Sequence, residues 1–115
     1  MKKEIVINEI KNKIQENIDK LEDVPEFLIP KVNEPNDFAY PYIEISDERI
    51  FYIIIRERGV EYRRDLFINI HSLLKAIFEM VTKSLVIEKL KEGDLEINPL
   101  IIEQKQKEIM RLLDI

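Results

Sequence analysis

Apolar residues recur every three or four positions over residues 3–22, at Ile7, Ile10, Ile14, Ile18 and Leu21, with charged and amide side chains filling the gaps. That spacing lays one apolar stripe along a helix and predicts an amphipathic helix at the start of the chain. From 23 to 41 the pattern breaks. Pro25, Pro30, Pro35 and Pro41 each lack a backbone donor and push the preceding residue out of the helical region. Regular structure is therefore not expected between Val24 and Tyr40. Phe27, Leu28, Ile29, Phe38 and Tyr40 make the segment too apolar for a free linker, so it should wrap the surface as an arm pinned by those side chains.

A period of two takes over next. Tyr42 to Ile45 alternates, Ile50 to Arg58 is strongly β-prone, and Val60 to Ile68 alternates less cleanly. A two-residue Arg58-Gly59 hairpin loop would set Ile55 opposite Tyr62 and Phe51 opposite Leu66. One face then reads Phe51, Ile53, Ile55, Tyr62 and Leu66, and the other pairs Arg56 with Glu61 across the strands. For Ile43 and Ile45 to join the apolar face they must oppose Ile53 and Phe51. This demands an odd turn such as Asp47-Glu48-Arg49, because a one-residue slip exposes the whole apolar set.

Helical spacing returns with Leu73, Leu74, Ile77, Phe78, Val81, Leu85 and Leu90. Asn69 is positioned to cap this second helix and Gly93 to end it. Asn98-Pro99, a cap followed by a first-turn proline, opens a last helix through Ile101, Ile102 and Ile109. The predicted class is α+β, one domain over 1–115. Its order is an amphipathic helix at 1–22, a proline-rich arm at 23–41, a three-stranded antiparallel meander at 42–68, and two helices at 69–114 packed on the sheet.

At 13.8 kDa the chain should expose ~6,600 Å² once folded, from ~20,000 Å² extended, enough for one core. With 18 Lys+Arg against 23 Asp+Glu the net charge is −5, which argues against a nucleic-acid binder. The charge is unevenly placed. Residues 25–49 hold two bases and six acids, while 50–93 is slightly positive. The absence of Cys removes disulfides, thiolate metal sites and a cysteine nucleophile, and suits a reducing cytoplasm. No apolar run reaches the ~20 residues of a membrane span, and the start of the chain lacks the apolar stretch of a signal peptide.

Candidate chemistry is sparse. The single His71 falls in the first turn of the second helix, and its neighbour Ser72 points about 100° away, so the two cannot act together. Nothing around Ser46 or Ser84 resembles a nucleophile elbow. Gly59 and Gly93 stand alone, so no phosphate-cradling loop is present, and no Ca²⁺-loop spacing occurs. No cofactor is expected. An enzyme would require Glu57, Glu61 and His71 to converge. Arg56, Arg58, Arg63 and Arg64 with Tyr52 and Tyr62 make the one stretch like a nucleic-acid surface. Glu57, Glu61 and Asp65 are mixed into it, and salt-bridged strand faces explain it better.

Three segments in order, Pro41-Tyr42-Ile43-Glu44-Ile45, then Tyr52 through Glu61 with its Glu-Arg-Gly turn, then Leu73 through Thr82, resemble the immunity protein 63 family. A Gln-containing last helix, at Gln104 or Gln106, fits the same pattern. The resemblance covers roughly residues 40–113 and departs from it after Asp94, where Glu96-Ile97-Asn98-Pro99 replaces a basic pair. It implies a non-enzymatic bacterial antidote that binds a cognate toxin domain in the cytoplasm and blocks it. A basic toxin such as a nuclease would be captured faster by an acidic surface. The other reading is an unrelated interaction module, or a homodimer built through the isoleucine stripe of the first helix. For partner binding, the acidic arm and first turn point to Glu34, Asp37, Tyr40, Tyr42, Glu44, Asp47 and Glu48.

Overall fold

The computed structural model describes residues 2–113 and 115. Helix α1 (Lys2–Ile18) leads into a short 3-10 turn (Glu26–Leu28), strands β1 (Tyr42–Ile45), β2 (Phe51–Glu57) and β3 (Val60–Phe67), and helices α2 (Ile70–Glu92) and α3 (Pro99–Met110). This is the α+β order that the periodicity predicts. The first helix stops a turn early. Lys20 and Leu21 donate to carbonyls three residues back rather than four, tightening the end into a turn.

The sheet is antiparallel in the order β1-β2-β3. Ile43 opposes Ile53 and Ile45 opposes Phe51, as burial of one face requires. The turn between them is closed by Ser46 N–H donating to the Ile50 carbonyl, leaving Asp47-Glu48-Arg49 as three loop residues with Arg49 at φ 61°. Arg58 and Gly59, at φ 51° and 78°, make the two-residue hairpin loop whose twist matches the flanking strands.

The β2–β3 register differs from expectation beyond the first two pairs, Glu57–Val60 and Arg56–Glu61. Arg56 opposes Glu61, but Ile55 opposes Arg63, so Tyr62 is an extra, bulged residue. Each later pairing shifts by one. Phe51 faces Phe67, and Leu66 lies opposite Tyr52 on the far side of the sheet from the core. Asp65 and Arg63 thereby move to the core side at the sheet margin. They are joined there by a 2.6 Å ion pair.

Ile10, Ile14 and Ile18 of α1, Ile43 and Ile53 of the sheet, and Leu73, Ile77 and Phe78 of α2 form the main core. The isoleucine stripe of α1 is thus consumed within the chain and offers no dimer seam. A second, smaller core joins Val86 and Leu90 to Ile102, so the C-terminal half of α2 packs on α3. Gln106 ties the two helices by donating its amide to the Glu79 carbonyl at 2.7 Å. That bond gives the last-helix glutamine a structural task.

Both predicted caps are present. Asn69 accepts from Ser72 N–H and Asn98 from Leu100 N–H, each at 2.8 Å. Helix α2 ends at Glu92 with Gly93 as its C-cap, as the glycine signal predicts. Gly93 has φ −83°, and Asp94 takes the left-handed position at φ 52°. Leu95 and Asp94 N–H donate to the Leu90 and Lys91 carbonyls, a Schellman closure.

The fold exposes 7615 Å², about 1,000 Å² more than a globule of this mass. The exposed large apolar side chains concentrate on the arm, β3 and α3. No helix among the described residues is long and apolar enough to cross a membrane.

Candidate protein-binding surface

The arm is positioned by backbone hydrogen bonds more than by its aromatic side chains. After the 3-10 turn buries Leu28, the chain runs alongside β1. Ile43 N–H donates to the Lys31 carbonyl and Asn33 N–H donates to the Ile43 carbonyl, a parallel bridge that places buried Val32 against the outer edge of β1. The Asn33 side chain extends the contact by accepting from Ile45 N–H at 2.7 Å. This edge is no longer free to pair with another chain.

The return leg is held at the opposite end of the sheet. Phe38 bridges Glu57, Ala39 N–H donates to the Arg56 carbonyl, and Arg58 N–H donates to the Asp37 carbonyl. The Asp37 carboxylate accepts from Gly59 N–H through both oxygens, at 2.9 and 2.8 Å, and lies 3.8 Å from Arg56 Nε. Asp37 therefore clamps the arm to the β2–β3 turn.

Two aromatics expected to pin the arm instead stand out from it. Phe38 is 89% exposed and Phe27 63%. They flank a groove of about 510 Å³ between the arm and α2, floored by Tyr40, Ser84 and Ile87 and edged by Glu26 and Glu88. Tyr40 is half-buried and donates its hydroxyl to the Leu28 carbonyl at 2.7 Å. Burial raises its phenol above the ordinary tyrosine range, against an opposing hydrogen bond with Ser84.

The seven sequence-selected residues divide among several places. Glu44, Asp47 and Glu48 gather with Tyr42 around one depression of about 440 Å³, with Lys3 the single cation on its lining. Glu44 is paired with Arg64 at 3.2 Å and Asp47 with Lys3 at 3.0 Å, whereas Glu48 is exposed on the turn. Tyr42 is only 2% exposed and forms part of the packed interior, so its ring is not a contact group. Glu34 is exposed on the arm near α1, while Asp37 serves the clamp and Tyr40 the groove floor. Pro35 borders both the acidic depression and the aromatic groove, making them adjacent.

Three of the four hairpin arginines are paired in place, Arg56 with Asp37, Arg63 with Asp65, and Arg64 with Glu61 and Glu44. Arg64 bonds Glu61 at 2.7 Å, and its guanidinium lies 5.0 Å from the Tyr52 ring centre. Its hydrogen bond holds the Glu61 carboxyl below the usual range. Glu57 and Glu61 flank the hairpin turn, while His71 sits beyond the other end of β3, roughly 20 Å of strand away, so the three do not converge. Among the described residues no three His, Cys, Asp or Glu side chains are grouped to hold a metal ion.

Sequence reasoning missed Phe27 and Phe38 as surface groups. The available signal was their polar flanking, Glu26 before Phe27 and Asn36-Asp37 before Phe38, with Asn36 turning the chain by accepting from Phe38 N–H. No family model matches this chain, and neither do any curated proteins or solved structures.

Proposed function

We propose that this chain is a non-catalytic immunity protein that binds and neutralises a cognate toxin domain through its arm. The observation that carries the reading is Phe38, 89% exposed on a segment whose backbone is fixed on both sides of it. A large aromatic held in water on a rigid support loses little entropy on binding, and such residues dominate interface energies. The neighbouring depression, with three carboxylates against Lys3 and the guanidinium of Arg64 that Glu44 shares with Glu61, keeps a negative field that attracts a basic partner. A nuclease-type toxin domain has that character. The resemblance of residues 40–113 to the immunity protein 63 family agrees with this role, which would be exercised in the cytoplasm of the producing cell.

The test is binding and growth rescue with the toxin encoded beside this chain. Wild type should bind and protect. Phe38→Ser should weaken binding by roughly 30-fold or more, the scale of a hot-spot aromatic. Asp47→Lys with Glu48→Lys should slow association and reduce its salt dependence. Absence of both binding and protection would overturn the reading.

A further inference from the structure

The two edges of the sheet are treated differently. The β1 edge is covered by Val32 of the arm, while no described segment pairs with the outer edge of β3. That open edge carries Val60, Tyr62 and Leu66, and Ile68 comes directly after it; all four are more than half exposed. An edge with unpaired backbone groups and apolar side chains is a template for another strand.

We propose that β3 pairs antiparallel with β3 of a second copy, about a dyad at Arg64, to give a continuous six-stranded sheet. A dyad normal to the sheet sets each residue opposite one of the same parity, so the choice of centre decides which charges meet. Centred on Arg64, Arg63 lies opposite Asp65 of the second copy and Asp65 opposite its Arg63. Tyr62, next to the regular stretch, then meets Leu66, apolar on apolar. A centre on Arg63 or on Asp65 sets that charge against itself and leaves the Arg63–Asp65 cross-pairs unmade.

The intramolecular Arg63–Asp65 pair at 2.6 Å becomes half of a four-charge cluster with alternating signs. The two Arg64 side chains face each other at the dyad, but each arrives bonded to Glu61 at 2.7 Å and Glu44 at 3.2 Å, which cancels their repulsion. Edge charges and bulges commonly protect a strand from pairing. Here the bulge at Tyr62 is confined to the turn end, leaving 63–67 regular, and the charges are self-complementary under the dyad. Because the β1 edge is covered, pairing cannot continue into a fibre and closes as a dimer.

One strand edge buries a small area, so the dimer should be weak, forming at concentrations on the order of 0.1 mM. The register has a specific signature. At the dyad Arg64 opposes itself with a Cα separation of ~4.5–5.5 Å, within the span a disulfide bridges. The chain has no native Cys, so Arg64→Cys introduces a single thiol.

Mild oxidation of full-length Arg64→Cys should give about tenfold more disulfide-linked dimer than Lys75→Cys, a control on exposed α2. Light scattering of cysteine-free protein over a concentration series should show dimer for wild type and less for Arg63→Asp or Asp65→Arg alone. The double exchange Arg63→Asp with Asp65→Arg should restore it. Equal cross-linking at 64 and 75, or a double exchange no better than the single variants, would overturn the proposal, and the second result stands even if Arg64→Cys fails to fold.

Discussion

Replacing Asp37 by Ala removes the side chain that joins the arm to the hairpin turn. The carboxylate makes one charge-assisted hydrogen bond, shared between two oxygens, to Gly59 N–H, and a longer ion pair with Arg56. Hydrogen bonds to charged groups are worth about 1.5–3 kcal/mol when shielded, but the Asp37 side chain is 47% exposed and water can replace it at Gly59. The exposed ion pair adds at most a few tenths. The net loss should be about 1–1.5 kcal/mol. With an unfolding entropy of ~2.1 cal/mol/K per residue over 115 residues, Tm should fall by about 4–6 °C. Calorimetry reads this directly. Amide exchange at Ala39 and Arg58, whose bonds lie on either side of the clamp, should accelerate by about tenfold if the loss opens the arm locally. Asp37→Asn keeps one acceptor and should lie between the two. A Tm within about 1 °C of wild type, with unchanged exchange at both amides, would refute the clamp. Because Asp37 holds the arm in place, reversing it to Lys would confuse folding with binding. The acidic depression is better probed at Asp47 and Glu48.

Other consequences are independent of the clamp. Phe78→Ala, at a fully buried site beneath the sheet, should cost about 3–5 kcal/mol in urea denaturation. The two glycines should respond with opposite signs. Gly93→Ala should stabilise by about 0.4–1 kcal/mol, because its φ is −83° and a Cβ would meet Leu95 at an ordinary 3.5 Å. Gly59→Ala should destabilise by about 1 kcal/mol, because φ there is +78°. Tyr40 gives a pH dependence. Its folded-state pKa is raised, so its stabilisation is fully present below the unfolded value of 10.0 and is lost as pH rises beyond it. Wild type should exceed Tyr40→Phe by about 1 kcal/mol at pH 7 from the bond to Leu28. Ionisation of the unfolded chain should remove about 1.4 kcal/mol of this by pH 11, so the order reverses and Tyr40→Phe becomes the more stable by about 0.4 kcal/mol. A difference independent of pH would contradict the burial of the phenol.

Element order and the β1–β2 register were legible because burial of Ile43, Ile45, Phe51 and Ile53 admits one pairing parity, and Asn69 and Asn98 announce helix starts through side-chain chemistry. The β2–β3 register was not. A bulge at Tyr62 leaves the hairpin turn and the Arg56–Glu61 pair intact and changes only the pairings from Arg63 onward, so the residues up to the turn carry no trace of it. The place where α2 ends was legible from Gly93, but the residue that takes the left-handed turn was not. The left-handed position needs a residue that tolerates positive φ, and Asp94 does so one place after the glycine. At the candidate surface, charge counting along the sequence located the acidic depression. It did not separate Tyr42, which is interior, from Phe38, which is in water. The arm is held by backbone bonds to β1 and β2, and these leave no pattern in side-chain types.

Presentation of Phe38 by the arm to a protein partner is the central claim. Calorimetric titration of the proposed toxin partner into wild type and into Phe38→Ser, with both confirmed folded by circular dichroism, tests it most directly. Wild type should bind tightly at one to one, and the variant should lose roughly 30-fold or more in affinity. Equal affinity for the two proteins would contradict the claim.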